Sequence, residues 1–229
     1  MMRGLFVTGT DTGVGKTIVC AALMHRYRQF SALRYWKPVQ TGVEEEDDTA
    51  TVRSLGECAD SEILDQGVRL KHPLSPHLAA QLEGETIELA RVCRIPSGHS
   101  QEFCWIVEGA GGALVPINDS SLMINLMEML ELPVVVVART ELGTINHSLL
   151  TIQALRSLKL EIAGVVLVGD QSPGTREAIE QHGAVTIVGE MPRFGELTGG
   201  GVGAWACANL DPNDRLADFM QSGQAKHAC

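Results

Sequence analysis

Short apolar runs alternate along this chain with longer amphipathic stretches. The runs fall at Leu5–Thr8, Leu33–Trp36, Phe103–Val107, Val134–Ala138, Ile162–Val168 and Val185–Val188. They read as continuous Val, Ile and Leu rather than as apolar–polar alternation, the pattern of strands buried on both faces. The stretches between them predict helices over Lys16–Gln29, Asp48–Leu55, Pro76–Leu82, Glu85–Arg91, Leu122–Leu130, Asn146–Ser157 and Arg176–His182. Strands joined by helical crossovers run parallel. The expected fold is therefore a single α/β domain: a doubly wound, mostly parallel central sheet with helices on both faces. Ligands of such sheets bind beyond the carboxyl ends of the strands.

The first strand end carries the strongest chemical signal. Gly9-Thr10-Asp11-Thr12-Gly13-Val14-Gly15-Lys16-Thr17 follows Leu5-Phe6-Val7 and leads into an apolar helix that includes Ile18, Val19, Ala21, Ala22 and Leu23. A glycine-rich turn between a strand and a helix opening on Lys-Thr is the phosphate-binding loop of a P-loop NTPase-type fold. Its glycines let backbone N–H groups converge on phosphate oxygens, and the helix N-terminus adds its positive dipole end. Lys16 is placed to reach the β and γ phosphates, and the Thr17 hydroxyl to ligate magnesium. The loop is a long variant: the position five before Gly15 is Thr10, and the first glycine, Gly9, lies six before it.

Composition narrows the function classes. The 229 residues suit one large α/β domain, expected to span 1–221 with a disordered tail over 222–229. Hydrophobic residues make up 45% and aromatics only 4%, so the core is expected to be aliphatic. A net charge of −10 argues against nucleic acid or an anionic membrane as partner. The longest apolar run, Leu132–Ala138, is too short to span a bilayer, and no secretory leader is visible. Six cysteines without a C-x-x-C pair favour reduced thiols in a cytoplasmic protein. The seven histidines show no metal-ligand spacing. Glycine-rich Gly195–Gly203 reads as irregular.

Further candidates cluster at the other strand ends. Lys37 ends the second strand, held by Pro38 and followed by Val39-Gln40-Thr41-Gly42; alone it reads equally as a surface lysine before a turn. Glu108 ends the third run and precedes Gly109, Ala110, Gly111 and Gly112. An acidic residue there is the second magnesium-organising element of phosphate-loop enzymes, and the glycines let backbone approach a ligand closely. Asp48 is a third carboxylate candidate, with Glu46 and Asp47 as adjacent rivals. Ser75-Pro76 marks a helix start, and His77 faces either the site or solvent. Asn146 reads as the N-cap of the helix after Val134–Ala138, leaving N–H groups around Thr144, Ile145 and Asn146 to receive a carboxylate.

Taken together, these motifs resemble the dethiobiotin synthetase family. The matching pieces are Val7-Thr8-Gly9-Thr10-Asp11-Thr12-x-Val14-Gly15-Lys16-Thr17, Lys37-Pro38-Val39-x-Thr41-Gly42, Ser75-Pro76-His77, Val107-Glu108-Gly109-Ala110-Gly111-Gly112 and Leu142-Gly143-x-Ile145-Asn146-His147. They occur in family order, and the long phosphate loop is the family's own form. The resemblance implies a magnesium- and ATP-dependent ligase of biotin biosynthesis. It closes a cyclic urea on 7,8-diaminopelargonate with carbon dioxide, through a carbamate and a carbamic–phosphoric anhydride.

The resemblance also implies residue roles. Gly13, Val14, Gly15, Lys16, Thr17 and Ile18 bind the phosphates, while Thr17, Asp48 and Glu108 hold magnesium. The order Asp48-Thr49-Ala50 matches the family better than a set beginning at Asp47. Lys37 and Lys16 are the catalytic cations. Thr41 contacts the diamine, and Thr12 with the Gly111–Gly112 backbone lines the reacting end, with Gly109 and Ala110 beside the nucleotide. Gly143, Thr144, Ile145 and Asn146 receive the substrate carboxylate across a homodimer interface. Gly169, Asp170, Met191 and Pro192 lie by the nucleotide base.

One departure stands out: Gly169-Asp170 replaces the Asn-Asp common in the family, where the asparagine reads adenine. This opens the site to nucleotides other than ATP. A switch ATPase of the same superfamily is the main rival, but it usually carries an early lysine in the loop, where this chain has Asp11.

Overall fold

The computed structural model describes residues 2–98 and 103–220; the tail expected over 222–229 lies outside them. Seven strands form the central sheet: β1 (Gly4–Gly9), β2 (Leu33–Trp36), β4 (Ile63–Leu64), β6 (Cys104–Gly112), β7 (Val134–Arg139), β8 (Ile162–Val168) and β9 (Ile187–Met191). Their order is β4-β2-β6-β1-β7-β8-β9, and all six ladders are parallel. A small second sheet pairs β3 (Val39–Gln40) with β5 (Val68–Arg69).

Helices cover both faces. On one lie α1 (Lys16–Tyr27), α2 (Asp48–Leu55), α8 (Gly199–Asn209) and the short α9 (Ala217–Met220). On the other lie α3 (Pro76–Glu83), α4 (Leu89–Arg94), α5 (Met123–Leu130), α6 (Thr144–Ser157) and α7 (Pro173–Gly183). The run Val134–Ala138 is wholly buried and feeds the two cores alternately, Val135 and Val137 into one, Val134, Val136 and Ala138 into the other. That explains why it shows no polar face. Each buried valine here contributes roughly 1.5–3 kcal/mol on burial. Among the described residues no helix is long and apolar enough to cross a membrane.

The structure corrects several expectations. Gly195–Gly203 is not irregular throughout, because α8 begins at Gly199. The Thr198 hydroxyl caps it, accepting from the Gly201 N–H at 3.2 Å, and Val202, Trp205 and Ala206 are buried. Glycine serves close packing there: a Cβ at Gly203 would lie 2.9 Å from the His25 ring. Packing outweighs poor helix propensity.

The helix expected over Glu85–Arg91 starts later, at Leu89. Asn118 Nδ2 donates to the Ile87 carbonyl at 2.7 Å, Ile87 is buried, and Glu88 after it is still extended. The last strand runs Ile187–Met191 rather than Val185–Val188, because the Ile187 N–H is taken by Glu180 at 3.0 Å and the ladder to β8 begins there. Strand β6 runs on through the glycines to Gly112, with Gly109 under Phe6, where a Cβ would lie 2.9 Å from the ring. The two-residue strands β3, β4 and β5 are too short to show a periodicity.

Candidate active site

The phosphate loop joins β1 to α1 at the carboxyl edge of the sheet. Gly13 (φ 70°) and Gly15 (φ 99°) take left-handed conformations, and Gly15 forms the N-cap of α1. The first N–H groups of α1 are thereby left without intrahelical acceptors and point at the loop's concavity. Ile18, in the first turn, packs half-buried against the core.

Lys16 is buried and donates to the Asp11 carbonyl at 3.1 Å. Burial, and then the Lys37 charge, lower its pKa below the ordinary lysine range, against the pull of Glu108 and Asp48. Arg139, at the end of β7, braces the rim: it donates to Asp11 Oδ2 at 3.1 Å and to the Thr12 carbonyl at 3.3 Å. No motif singled out Arg139; a cation ending an apolar strand, like Lys37, was its only signal.

Behind the loop, Thr17, Lys37, Asp48 and Glu108 meet. Thr17 Oγ1 lies 2.9 Å from Asp48 Oδ1 and 3.0 Å from Glu108 Oε1. Lys37 Nζ donates to Glu108 Oε1 at 2.7 Å and forms an ion pair with Asp48. Glu108 is fully buried, and its Oε2 accepts from the Tyr35 hydroxyl at 2.8 Å. Burial opposes the Lys37 charge, but Glu108 and then Asp48 overcome it and lift its pKa above the ordinary lysine range. Charges in such surroundings persist only when paired.

Asp47 and Asp48 differ in what they contact. Asp47 caps α2, accepting from the Thr49 and Ala50 N–H groups at 2.9 and 3.1 Å. Asp48, in the first turn, is left to face Thr17 and Lys37. Tyr35 had no assigned role from the sequence, because the face it presents depends on strand register.

The remaining candidates surround this cluster unevenly. Gly111 (φ 65°) sits opposite Thr12, where a Cβ would come 3.6 Å from the threonine hydroxyl. Thr41 follows β3 and makes no side-chain hydrogen bond among the described residues. His77 contacts the Ser75 hydroxyl at 3.1 Å, and Ser75 occupies the N-cap of α3 with Pro76 next to it.

Asn146 is not an N-cap. Gly143 (φ 97°) holds that place, and the Thr144 hydroxyl donates to the Arg139 carbonyl at 2.5 Å. Asn146 instead lies exposed in the first turn of α6, where its N–H and that of Ile145 lack intrahelical acceptors. Leu142, before this turn, is fully exposed, and Leu150 is exposed on α6.

At the ends of β8 and β9 a cavity of about 330 Å³ is lined by Gly169, Asp170, Glu190, Pro192, Trp205 and Asn209, among others. The Met191 side chain is buried in the core; its carbonyl accepts from the Gly169 N–H at 2.9 Å. Gly169 (φ 135°) is pressed against Thr140, whose hydroxyl a Cβ would meet at 2.3 Å. Trp205 and Asn209 went unforeseen because their helix did.

Oxygen atoms from Thr17, Asp48 and Glu108 form a set suited to a hard divalent cation. Among the described residues no cluster of three or more His, Cys, Asp or Glu side chains forms a metal site. Magnesium does not need one: it takes one or two carboxylates together with substrate phosphates and water. The two carboxylates already share the Lys37 ammonium, so the place favours positive charge.

Comparison with known proteins places the chain in a family. A family profile described as an AAA domain matches residues 3–200. The chain is 46% identical over 197 residues to the ATP-dependent dethiobiotin synthetase of Paramagnetospirillum magneticum, covering 86% of this chain and 91% of that one. It is 43% identical over 192 residues to the Agrobacterium fabrum enzyme of the same name, covering 84% and 87%. With the Rhodopseudomonas palustris enzyme it shares 41% over 218 residues, 95% and 99% of the two chains.

Solved structures of similar fold include a ParA family ATPase from Chlorobium tepidum, with a TM-score of 0.55, 12% identity and coverage of 90% and 98%. The cell division ATPase MinD of Pyrococcus furiosus gives a TM-score of 0.54 at 18% identity, covering 84% of each chain. At such identities these two speak for the P-loop fold alone. The family follows from the curated relatives: this chain belongs to the ATP-dependent dethiobiotin synthetases.

Proposed function

We propose that the chain carries out the family reaction on magnesium-ATP, carbon dioxide and 7,8-diaminopelargonate, giving dethiobiotin, ADP and phosphate. The observation that carries this reading is the Lys37–Glu108–Asp48–Thr17 cluster directly behind the phosphate loop, with Lys37 and Glu108 buried and Asp48 and Thr17 partly exposed. A magnesium ion, when bound by Thr17, Asp48 and Glu108, supplies charge neutralisation for the phosphates.

The chain's own residues do the rest. The loop N–H groups and Lys16 hold the triphosphate. One amine of the substrate adds to carbon dioxide and loses a proton, giving a carbamate, which Lys37 orients by its charge. The γ-phosphoryl group passes from ATP to the carbamate oxygen with ADP as the leaving group, so that oxygen leaves later as part of phosphate. The second amine then attacks the carbamoyl carbon, closing the ring and expelling phosphate. Catalysis of this kind is alignment and charge stabilisation. Thr12, Thr41 and Gly111 line the reacting end, and the first-turn N–H groups of α6 bind the substrate carboxylate.

Exposed Leu142, Ile145 and Leu150 beside that turn suit a second copy of the chain, so the working form is a homodimer. The five described cysteines are free thiols, consistent with a cytoplasmic location.

The test is phosphate release from magnesium-ATP with and without the diamine and bicarbonate, with mass detection of the product. Diamine-dependent release together with a product of dethiobiotin's mass is expected. Release indifferent to the diamine points instead to a switch ATPase.

A further inference from the structure

We propose that Tyr35 is a positioning residue for phosphoryl transfer, holding Glu108 so that one carboxylate oxygen is committed to the phenol and the other is turned toward Thr17 and Lys37. The inference rests on the reading of Glu108 as a cation ligand.

Strand register makes the contact. Tyr35 pairs with Ile106 across the β2–β6 ladder, and both side chains enter the core beneath α1. Glu108, two residues beyond Ile106, therefore points to that same face and stands diagonally from Tyr35. Diagonal neighbours in a sheet are within reach only of long or aromatic side chains. The phenol spans the gap: its hydroxyl donates to Oε2 at 2.8 Å, while Oε1 lies 3.0 Å from Thr17 and 2.7 Å from Lys37.

The need for such a prop follows from residue type. Glutamate places its carboxylate on a longer arm than aspartate, with one more rotatable bond to be fixed. Tyr35 and Glu108 are both fully buried, so water is a poor substitute for the missing donor if the phenol is removed. Partners that orient a metal-binding carboxylate typically change metal affinity or activity by about 10–100-fold when lost.

Tyr35→Phe keeps the ring and removes the hydroxyl. Tyr27→Phe is a matched control: Tyr27 donates to the buried Asp211 at 2.5 Å from the opposite end of α1. The readout is Mn²⁺ affinity in the presence of a non-hydrolysable ATP analogue, followed by electron paramagnetic resonance of free Mn²⁺. Tyr35→Phe is expected to weaken it by about tenfold or more and to lower kcat with the diamine KM unchanged. Tyr27→Phe is expected to lower the melting temperature and leave Mn²⁺ affinity within twofold.

The chain has only two tyrosines, so fluorotyrosine labelling gives two ¹⁹F resonances, assigned with Tyr27→Phe. The Tyr35 resonance is expected to shift on adding Mg²⁺ with the analogue, and the Tyr27 resonance to stay. Unchanged Mn²⁺ affinity in Tyr35→Phe, or equal losses in both variants, overturns the inference. If Tyr35→Phe does not fold, a Tyr35 resonance unmoved by Mg²⁺ overturns it instead. A parent chain that binds no Mn²⁺–nucleotide overturns the functional reading itself, and this inference with it.

Discussion

Lys37 Nζ lies 2.7 Å from Glu108 Oε1, and both side chains are buried, Glu108 completely. The pair ties the end of β2 to the middle of β6 and sets an ammonium behind the phosphate loop. Lys37→Ala is expected to retain nucleotide binding and lose turnover by about 10²–10³-fold, the range for removing one preorganised donor from a transition-state charge. Fluorescent-nucleotide titration beside a phosphate-release assay checks both halves. Near-normal turnover would remove Lys37 from the mechanism.

Arg139 braces Asp11 and Thr12 from outside, in an ion pair whose side chains are 42% and 54% exposed. Such pairs contribute about 0–1 kcal/mol. Arg139→Met is therefore expected to raise the nucleotide Kd by no more than about fivefold. A loss beyond tenfold in isothermal titration would mean that the guanidinium touches phosphate directly.

Alkaline stability follows from two thiols. Burial pushes Cys58 and Cys104 from an ordinary value of 9.0 up to about 11. Above the lower value the unfolded chain gives up protons that the folded chain keeps. Their contribution is thus complete below pH 9 and is lost as pH rises toward 11. The melting temperature is expected to fall across that window. In peptide-resolved alkylation at pH 8, exposed Cys207 is expected to react before Cys20, Cys58 and Cys104.

On the proposed reading, Gly169 would offer the nucleotide base only backbone. We expect GTP or CTP to retain activity, read by phosphate release at saturating nucleotide; activity with ATP alone would refute this. Gly169→Asn is not a simple repair, since its Cβ would collide with Thr140 and the backbone is left-handed. It is expected to cost about 1–3 kcal/mol of stability without sharpening selectivity. Thr140→Gly in the same chain is expected to recover part of the loss.

The parts of this protein that were legible in its sequence are those where local chemistry and strand ends coincide. The phosphate loop is one, because glycines, Lys16 and Thr17 have no other common use in that order. The buried strands are another, since wholly apolar runs such as Val134–Ala138 need two covered faces. Asp48 could not be separated from Asp47 by pattern, because adjacent positions on a helix start differ only in direction. Tyr35 and Arg139 were silent because their importance depends on what stands across a ladder or a loop. The helix from Gly199 was misread because glycine weakens helices on average, while here it permits contact with His25 that holds the helix in place.

The buried Lys37 ammonium is shared by the buried Glu108 and the half-buried Asp48, and this constrains how the enzyme can change over generations. Replacing Lys37 or Glu108 strands an opposite charge in a medium that does not tolerate it. Routes to a new chemistry through this centre therefore run through double exchanges, each half of which is disfavoured alone. Drift is left to the cavity at the ends of β8 and β9 and the exposed rim, where a single step is tolerated.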